Sequence, residues 1–472
     1  MRLKYYSDHF MSILGRLGFK QSTRDECLWS YKAGKHYLHY LFHVDDVLVV
    51  SNNSALREAF LRILKKELRI RDEGVVSKFL GMRIQRLDDG SYTVDQQKYI
   101  EKLAEMFCID NSTKPAEQPG VFGQHLTLDM LPQTESEREE AAKLPMQELV
   151  GGLIYINKTR PDIAYAISDV ARFMSRWGVE HFKRALLILK YLYNTRDKKL
   201  LFSRTDTPFT ISTYCDANYG DERDSGNVAD DKWKSQGCFL IYLADCLVSW
   251  RSRRHKSRCY SSMESEYMEA SEAAKEVVFF RELMNEMGYE MKDATVMYED
   301  NKACIAFSKN NTNHDRSKHI DIRAYALRDC VRNGIVELVH VDTENQLADM
   351  LTKHQRKKDF SRHTHEVFCR CGPPPKSKRA GRTRIGMCQC MSCFVGGVSY
   401  EREYTSKKNM VRRTKKSNTF FVRSVPCLVR VPFKRYGVLV WYTYAFRTQR
   451  TIFRTIFVRV LIKYANHYGM PY

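Results

Sequence analysis

The sequence predicts an α/β chain of the α+β kind, with a mixed sheet flanked by helices at its chemical centre. Two patterns carry this reading. Three strand-like runs follow one another at 209–214, 238–243 and 247–250. A long helical stretch over about 262–287 comes next, and then strands at 294–298 and 335–341 alternate with helices, the later ones at 320–332 and 345–352. A meander that gives way to strand–helix alternation predicts antiparallel and parallel pairs in one sheet, with helices covering it. Composition permits it: the 472 residues are 43% hydrophobic and 12% aromatic, enough to build a buried core and to exclude wholesale disorder.

Each upstream element has its own signal. Residues 39–51 are two apolar runs around Asp45-Asp46, which predicts a β-hairpin with the carboxylates at its turn. Leu56, Phe60, Ile63, Leu64 and Leu68 recur at helical spacing. A strand over 79–84, a turn at Asp89-Gly90 and a helix from about Asp95 follow. Residues 112–145 are polar and contain proline, and are expected to be a linker. The pattern over 146–201 is helical and is split at Pro161, a residue able to open a new helix. The expected organisation is 1–111, linker 112–145, helical segment 146–205, sheet domain 206–357 and tail 358–472.

Charge divides the chain at the last of these boundaries. The net charge is +21, yet residues 361–472 alone hold 23 Lys and Arg against three acids, and residues 1–360 balance to +1. Such a basic tail would bind nucleic acid without sequence preference and with strong salt dependence. Its patterns dissolve after Lys358, so it is expected to be poorly ordered, in the manner of text read through past a coding end. Six cysteines fall after position 368, but Cys369-Arg-Cys371 and Cys388-Gln-Cys390-Met-Ser-Cys393 match zinc spacing poorly. The other eight are scattered singly and are expected to be reduced thiols. No apolar run approaches the length of a membrane span, and the first residues lack a signal peptide's apolar core, which predicts a cytoplasmic chain with no membrane partner.

The chemistry is concentrated in 209–352. Asp216 is expected just past a strand, Glu266 in the first turns of the long helix, Asp300 just past another strand and Asp349 on the last short helix. Acids brought from separated segments to strand ends and helix starts are how a fold converges oxygen ligands on hard cations. Two such cations about 3.5–4 Å apart activate a water and stabilise the leaving oxygen of a phosphodiester. By spacing alone the signal is weak, and solvated surface acids are the favoured reading.

Five ordered motifs sharpen it. Thr213-Tyr-Cys-Asp216-Ala-Asn-Tyr, Ser261-Ser-Met-Glu-Ser-Glu266-Tyr, Tyr298-Glu-Asp300-Asn, Lys318-His319-Ile-Asp321-Ile-Arg323 and Asn345-Gln-Leu-Ala-Asp349-Met-Leu-Thr-Lys353 resemble the ribonuclease H domain of copia-type LTR retrotransposon Pol polyproteins. The resemblance implies a ribonuclease H-like sheet that hydrolyses the RNA strand of RNA–DNA hybrids. It also implies two Mg²⁺ ions (Mn²⁺ able to substitute) held by Asp216, Glu266, Asp300 and Asp349. Ser261 and Glu264 have capping-box spacing, which makes Glu264 structural and leaves Glu266 as the metal acid. His319 either caps the following helix or assists proton transfer and product release. Trp250-Arg251-Ser-Arg253-Arg254-His-Lys256-Ser-Arg258 is either a phosphate clamp for the hybrid or a solvated basic turn. Asp221–Trp233 is longer than the family's usual stretch and is expected to be a surface loop.

Upstream, Leu17-Gly-Phe-Lys-Gln-Ser22, His43-Val-Asp45-Asp46, Phe79-Leu-Gly-Met82 and Thr159-Arg-Pro-Asp162-Ile-Ala-Tyr resemble the C-terminal part of the same family's reverse transcriptase, its palm, thumb and connection. Asp45 and Asp46 match the catalytic pair of the palm. None of Asp8, Asp25 or Glu26 fits the third palm acid, and His43 replaces the usual tyrosine, so RNA-directed DNA polymerase activity is not expected of this chain unaided. The likeness covers about residues 5–355. It implies an RNA–DNA hybrid and a fuller Pol chain as partners, and a virus-like particle or the nucleus as further locations. The alternative is a non-catalytic, nucleic-acid-binding relic of a decayed element.

Overall fold

The computed structural model describes residues 2–43, 46–68, 70–204, 209–220, 234–310 and 321–369. It opens with α1 (Arg2–Arg16), β1 (Lys20–Gln21), β2 (Leu28–Ala33), β3 (His36–His43), β4 (Asp46–Ser51) and α2 (Ser54–Glu67). β1 to β4 form an antiparallel sheet in sequence order. β3 and β4 pair from Leu38↔Ser51 to His43↔Asp46, so the expected hairpin is present. Side chains alternate across β3: Leu38 and Tyr40 join Phe10, Leu14, Phe60 and Leu64 beneath α1 and α2. Tyr37 and Leu41 point into a second core.

The chain continues through β5 (Lys78–Phe79), β6 (Met82–Arg86), β7 (Tyr92–Asp95), α3 (Gln97–Met106), α4 (Glu135–Ala142), α5 (Met146–Ile156), α6 (Ala164–Ala171), α7 (Val179–Asn194) and β8 (Leu200–Phe202). β5, β6, β7 and β8 make a second antiparallel sheet. The single strand expected over 79–84 is instead a tight hairpin. Leu80 and Gly81 take φ of 51° and 75°, which breaks the run. Tyr155 holds this turn by donating its hydroxyl to the Leu80 carbonyl at 2.9 Å. The same hydroxyl oxygen would lie 1.8 Å from a Cβ at Gly81, so only glycine fits there. The expected linker is also structured. Thr134 and Glu137 cap α4 reciprocally, Ala116, Leu126 and Ala141 are buried, and Trp177 donates to the Ala141 carbonyl at 2.9 Å.

The third region holds β9 (Ile211–Asn218), β10 (Gln236–Leu243), β11 (Cys246–Arg254), α8 (Ser262–Glu286), β12 (Thr295–Glu299), α9 (Lys302–Lys309), α10 (Asp321–Arg332), β13 (Val336–His340) and α11 (Lys357–Cys369). Its sheet runs β11-β10-β9-β12-β13. β10 is antiparallel to both neighbours, while β12 is parallel to β9 and β13. This is the mixed sheet flanked by helices that the alternation predicts.

β10 shows why both faces must be covered. Every one of its residues is buried. Phe239, Ile241 and Leu243 pack with Tyr267, Ala270, Ala274, Val277 and Phe280 of α8, residues spaced three or four apart on one helix face. Cys238, Leu240 and Tyr242 pack on the other face with residues of α5, α6 and α7. The helical segment 146–194 therefore shares a core with the sheet, and a boundary at 205/206 divides that core.

Three further expectations shift. Asp216 lies inside β9, paired with Cys238, because the ladder with β10 continues to Asn218↔Gln236. The last short helix is a pair of 3₁₀ turns, Thr343–Asn345 and Leu347–Leu351. Order does not end at 357: α11 buries Phe360, His363, Val367 and Phe368 against the body. Asp45, His319, the insertion 221–233 and the tail cysteines from Cys371 onward lie outside the described residues. No disulfide joins the eight cysteines from Cys27 to Cys330. Among the described residues no helix is long and apolar enough to cross a membrane.

Candidate active site

Strand register builds the first half of the site. β9 and β12 run parallel with Tyr214 opposite Tyr298, so Asp216 and Asp300, each two residues further on, emerge side by side. The order of strands along the chain reverses between these two strands: from β9 the chain builds β10 and β11 on one side and then returns to place β12 on the other. Clefts at the carboxyl ends of strands on either side of such a switch are where open sheets hold ligands.

The third acid comes from α8. Ser261 caps this helix by accepting the Glu264 backbone N–H at 3.1 Å, and Glu264 Oε2 accepts the Tyr260 N–H at 2.6 Å. Glu264 is thus the structural carboxylate, as its spacing predicts. Glu266 is buried beside the end of β9, where it accepts the Ala217 backbone N–H. Asp216, Glu266 and Asp300 each present an oxygen within 4.8 Å of the others.

The turn Leu347–Leu351 brings Asp349 to the same place. Gln346 anchors it by donating to the Cys215 carbonyl at 2.9 Å. Thr352 donates to Asp216 Oδ2 at 2.7 Å and Thr343 to Asp300 Oδ2 at 2.8 Å. The Lys353 ammonium donates to Asp349 Oδ1 at 2.9 Å.

Burial and mutual repulsion hold the carboxyls of Asp216 and Glu266 away from their ordinary behaviour. Asp216 is pushed up to about 8, chiefly by burial and then by the charge of Asp349. Glu266 is raised well above the carboxylate range by burial and by Asp216. Glu266 Oε2 is buried and accepts no hydrogen bond. A buried, oxygen-only cluster with an unsatisfied acceptor fits a hard divalent cation, whose charge would reverse the upward shifts.

Several contributors escape a reading that looks for acids at element ends. Glu299 precedes Asp300 and faces the other side of β12. It is fully buried, accepts from Cys215 Sγ at 3.3 Å and from the Asn301 N–H at 3.1 Å, and is pushed up to about 8 by burial. Period-two alternation from Met297 is the signal that would find it. Thr352 and Lys353 stand three and four residues after Asp349, the spacing that returns side chains to one face of a turn.

The expected clamp divides. Arg251 is half-buried and committed to α8: it donates to Glu269 at 2.9 Å and Glu272 at 3.3 Å, with its guanidinium 4.7 Å from the Phe239 ring centroid. Arg254 is half-buried as well, while Arg253, Lys256 and Arg258 are exposed. Glu269 also meets His255 Nε2 at 3.0 Å. A Cβ at Gly237 would lie 2.1 Å from that carboxylate and 2.4 Å from His255 Nε2, so this pair is built over a glycine. Asp46 is exposed at the turn end of β4, in the separate N-terminal sheet.

The model of the reverse transcriptase (RNA-dependent DNA polymerase) family matches residues 4–119. The chain is 32% identical over 347 residues to the retrovirus-related Pol polyprotein from transposon TNT 1-94 of Nicotiana tabacum, covering 73% of this chain and 25% of that protein. It is 28% identical over 358 residues to the corresponding polyprotein from transposon RE1 of Arabidopsis thaliana, covering 76% of this chain and 23% of that protein. The chain thus spans about a quarter of the length of the curated relatives it matches. Similar solved structures include RNase H1 from the archaeon Halobacterium salinarum, at 13% identity, 30% coverage of this chain, 93% of that chain and a TM-score of 0.20. Another is the N-terminal RNase H domain of a Mycobacterium tuberculosis protein, at 11% identity, 34% and 99% coverage and a TM-score of 0.22. The family-model match and these polyprotein matches support a copia-type retrotransposon Pol chain.

Proposed function

We propose that this Pol chain hydrolyses the RNA strand of RNA–DNA hybrids at the cluster of Asp216, Glu266, Asp300 and Asp349. The observation that carries the proposal is the convergence of Asp216, Glu266 and Asp300 within 4.8 Å at adjacent parallel strand ends, in a Pol polyprotein. Two Mg²⁺ ions held by these acids, with Mn²⁺ able to replace them, would supply an activated water and charge stabilisation at the scissile phosphate.

The chain's own groups arrange this chemistry. Thr352 and Thr343 fix the carboxylates of Asp216 and Asp300 through their hydroxyls. The buried setting of Asp216 and Glu266 keeps bulk solvent from competing for their oxygens. Water is the nucleophile: its oxygen forms a bond to phosphorus as the bond from phosphorus to the 3′ oxygen breaks, leaving 5′-phosphate and 3′-hydroxyl ends. Exposed Arg253, Lys256 and Arg258, on the approach to α8, hold backbone phosphates. Ribose 2′-hydroxyls distinguish the strand to be cut.

The test compares one labelled RNA presented to the full chain as a single strand, as an RNA duplex and in a hybrid with DNA. Mg²⁺-dependent cleavage confined to the hybrid, with 5′-phosphate products, is the expected result. Equal cleavage of the three forms, or of none by folded protein, would overturn the assignment.

A further inference from the structure

The four acids do not stand in equal positions. The oxygens that converge are those of Asp216, Glu266 and Asp300. Asp349 has a cation already: the Lys353 ammonium sits 2.9 Å from its Oδ1. The pair is only partly exposed, with the Asp349 side chain 10% and the Lys353 side chain 43% accessible. Asp349, then Asp216, then Asp300 attract this ammonium, so it belongs to the site electrostatically as well as by contact. A lysine ammonium is a compact point charge on a flexible four-carbon stem, able to neutralise a carboxylate and to swing away from it.

We infer that Lys353 is a built-in counter-cation for Asp349 and sets the order of metal loading. The first divalent ion is taken by Asp216, Glu266 and Asp300. The second requires Asp349 and enters only by displacing the Lys353 ammonium, which keeps it the weaker site until a substrate phosphate adds its own charge. Lys353 is thus a positioning residue, acting through Asp349. The inference rests on the reading of this cluster as a metal site.

The test is Mn²⁺ binding to the full chain without nucleic acid, followed by electron paramagnetic resonance of free Mn²⁺ and by calorimetry. The parent should show one tighter and one weaker site. Lys353→Gln should strengthen the weaker site about tenfold by removing a repelling charge, leave the tighter site within about twofold, and remain folded by circular dichroism. Lys353→Arg, which keeps the charge, should reproduce the parent. An unchanged weaker site in folded Lys353→Gln would overturn the inference and leave the metal-site reading standing. Absence of any Mn²⁺ binding by the folded parent would overturn both. If Lys353→Gln fails to fold, Asp349→Asn decides: loss of the weaker site alone supports the inference, and loss of both sites overturns it.

Discussion

Thr352 shares its hydroxyl between Asp216 Oδ2 at 2.7 Å and the Asp349 backbone carbonyl at 3.2 Å, so one buried side chain ties the central strand to the turn that carries the last acid. A hydrogen bond to a charged group contributes about 1.5–3 kcal/mol. Thr352→Val keeps the shape and loses the bond. Hybrid cleavage should fall about ten- to a hundredfold, while Thr352→Ser retains most of it, as single-turnover rates at saturating Mg²⁺ would show. Equal rates for the Val variant and the parent would contradict this role.

The upward shift of Asp216 fixes the sign of a pH effect. Between its unfolded value of about 4 and its folded value of about 8 the native state binds the proton more readily, so stability falls as pH rises across that window. In chelator, the parent's melting temperature should therefore drop from about pH 5 to pH 8 more steeply than that of Asp216→Asn. Divalent ion should raise the parent's melting temperature more at the upper end, where protons no longer compete. Parallel curves for the two proteins would remove the argument for strain at this carboxyl.

The Arg160-Pro161-Asp162 segment has a structural role. Arg160 and Asp162 are fully buried and form a bidentate pair at 2.9 and 2.7 Å. Arg160 also donates to the Thr195 carbonyl at 2.9 Å, and Tyr191 donates to Asp162 at 2.6 Å. Arg160→Ala would strand a buried carboxylate and should cost about 3–5 kcal/mol in urea unfolding. A double replacement, Arg160→Met with Asp162→Leu, should cost less than the single one.

The division of the basic segment predicts two phenotypes. Replacing exposed Arg253 and Lys256 together with alanine should lower the salt slope of hybrid binding by about two, near one per phosphate contact. Arg251→Ala should leave that slope unchanged and lower the melting temperature, since its guanidinium pairs with Glu269 and Glu272. Fluorescence anisotropy across a salt series separates the cases.

Much of this arrangement is legible in the sequence because local and global signals agree. Ser261 and Glu264 mark the start of α8 and separate the cap from Glu266, and the run before Asp300 ends where β12 does. The misses have distant causes. Nothing near Leu80 announces its left-handed backbone, which is held by Tyr155 from a helix 75 residues away. The end of β9 is set by pairing with Gln236, across the insertion, rather than by the polar text around Asp216. α11 hides at the edge of a basic tail because its lysines and arginines mask a sparse apolar face of Phe360, Val367 and Phe368. Lys353 is passed over because a search for metal ligands looks for carboxylates and not for the cation that already accompanies one.

The measurement that bears most directly on the account is cleavage of the labelled RNA strand of an RNA–DNA hybrid by the full chain in Mg²⁺, beside Asp300→Asn. Metal-ion charge stabilisation is worth several kcal/mol, so the parent should cut and the variant should be slower by about a thousandfold or more. Folded parent and variant that are equally inert, or that cut equally well, would show that Asp216, Glu266, Asp300 and Asp349 do not form a working nuclease centre.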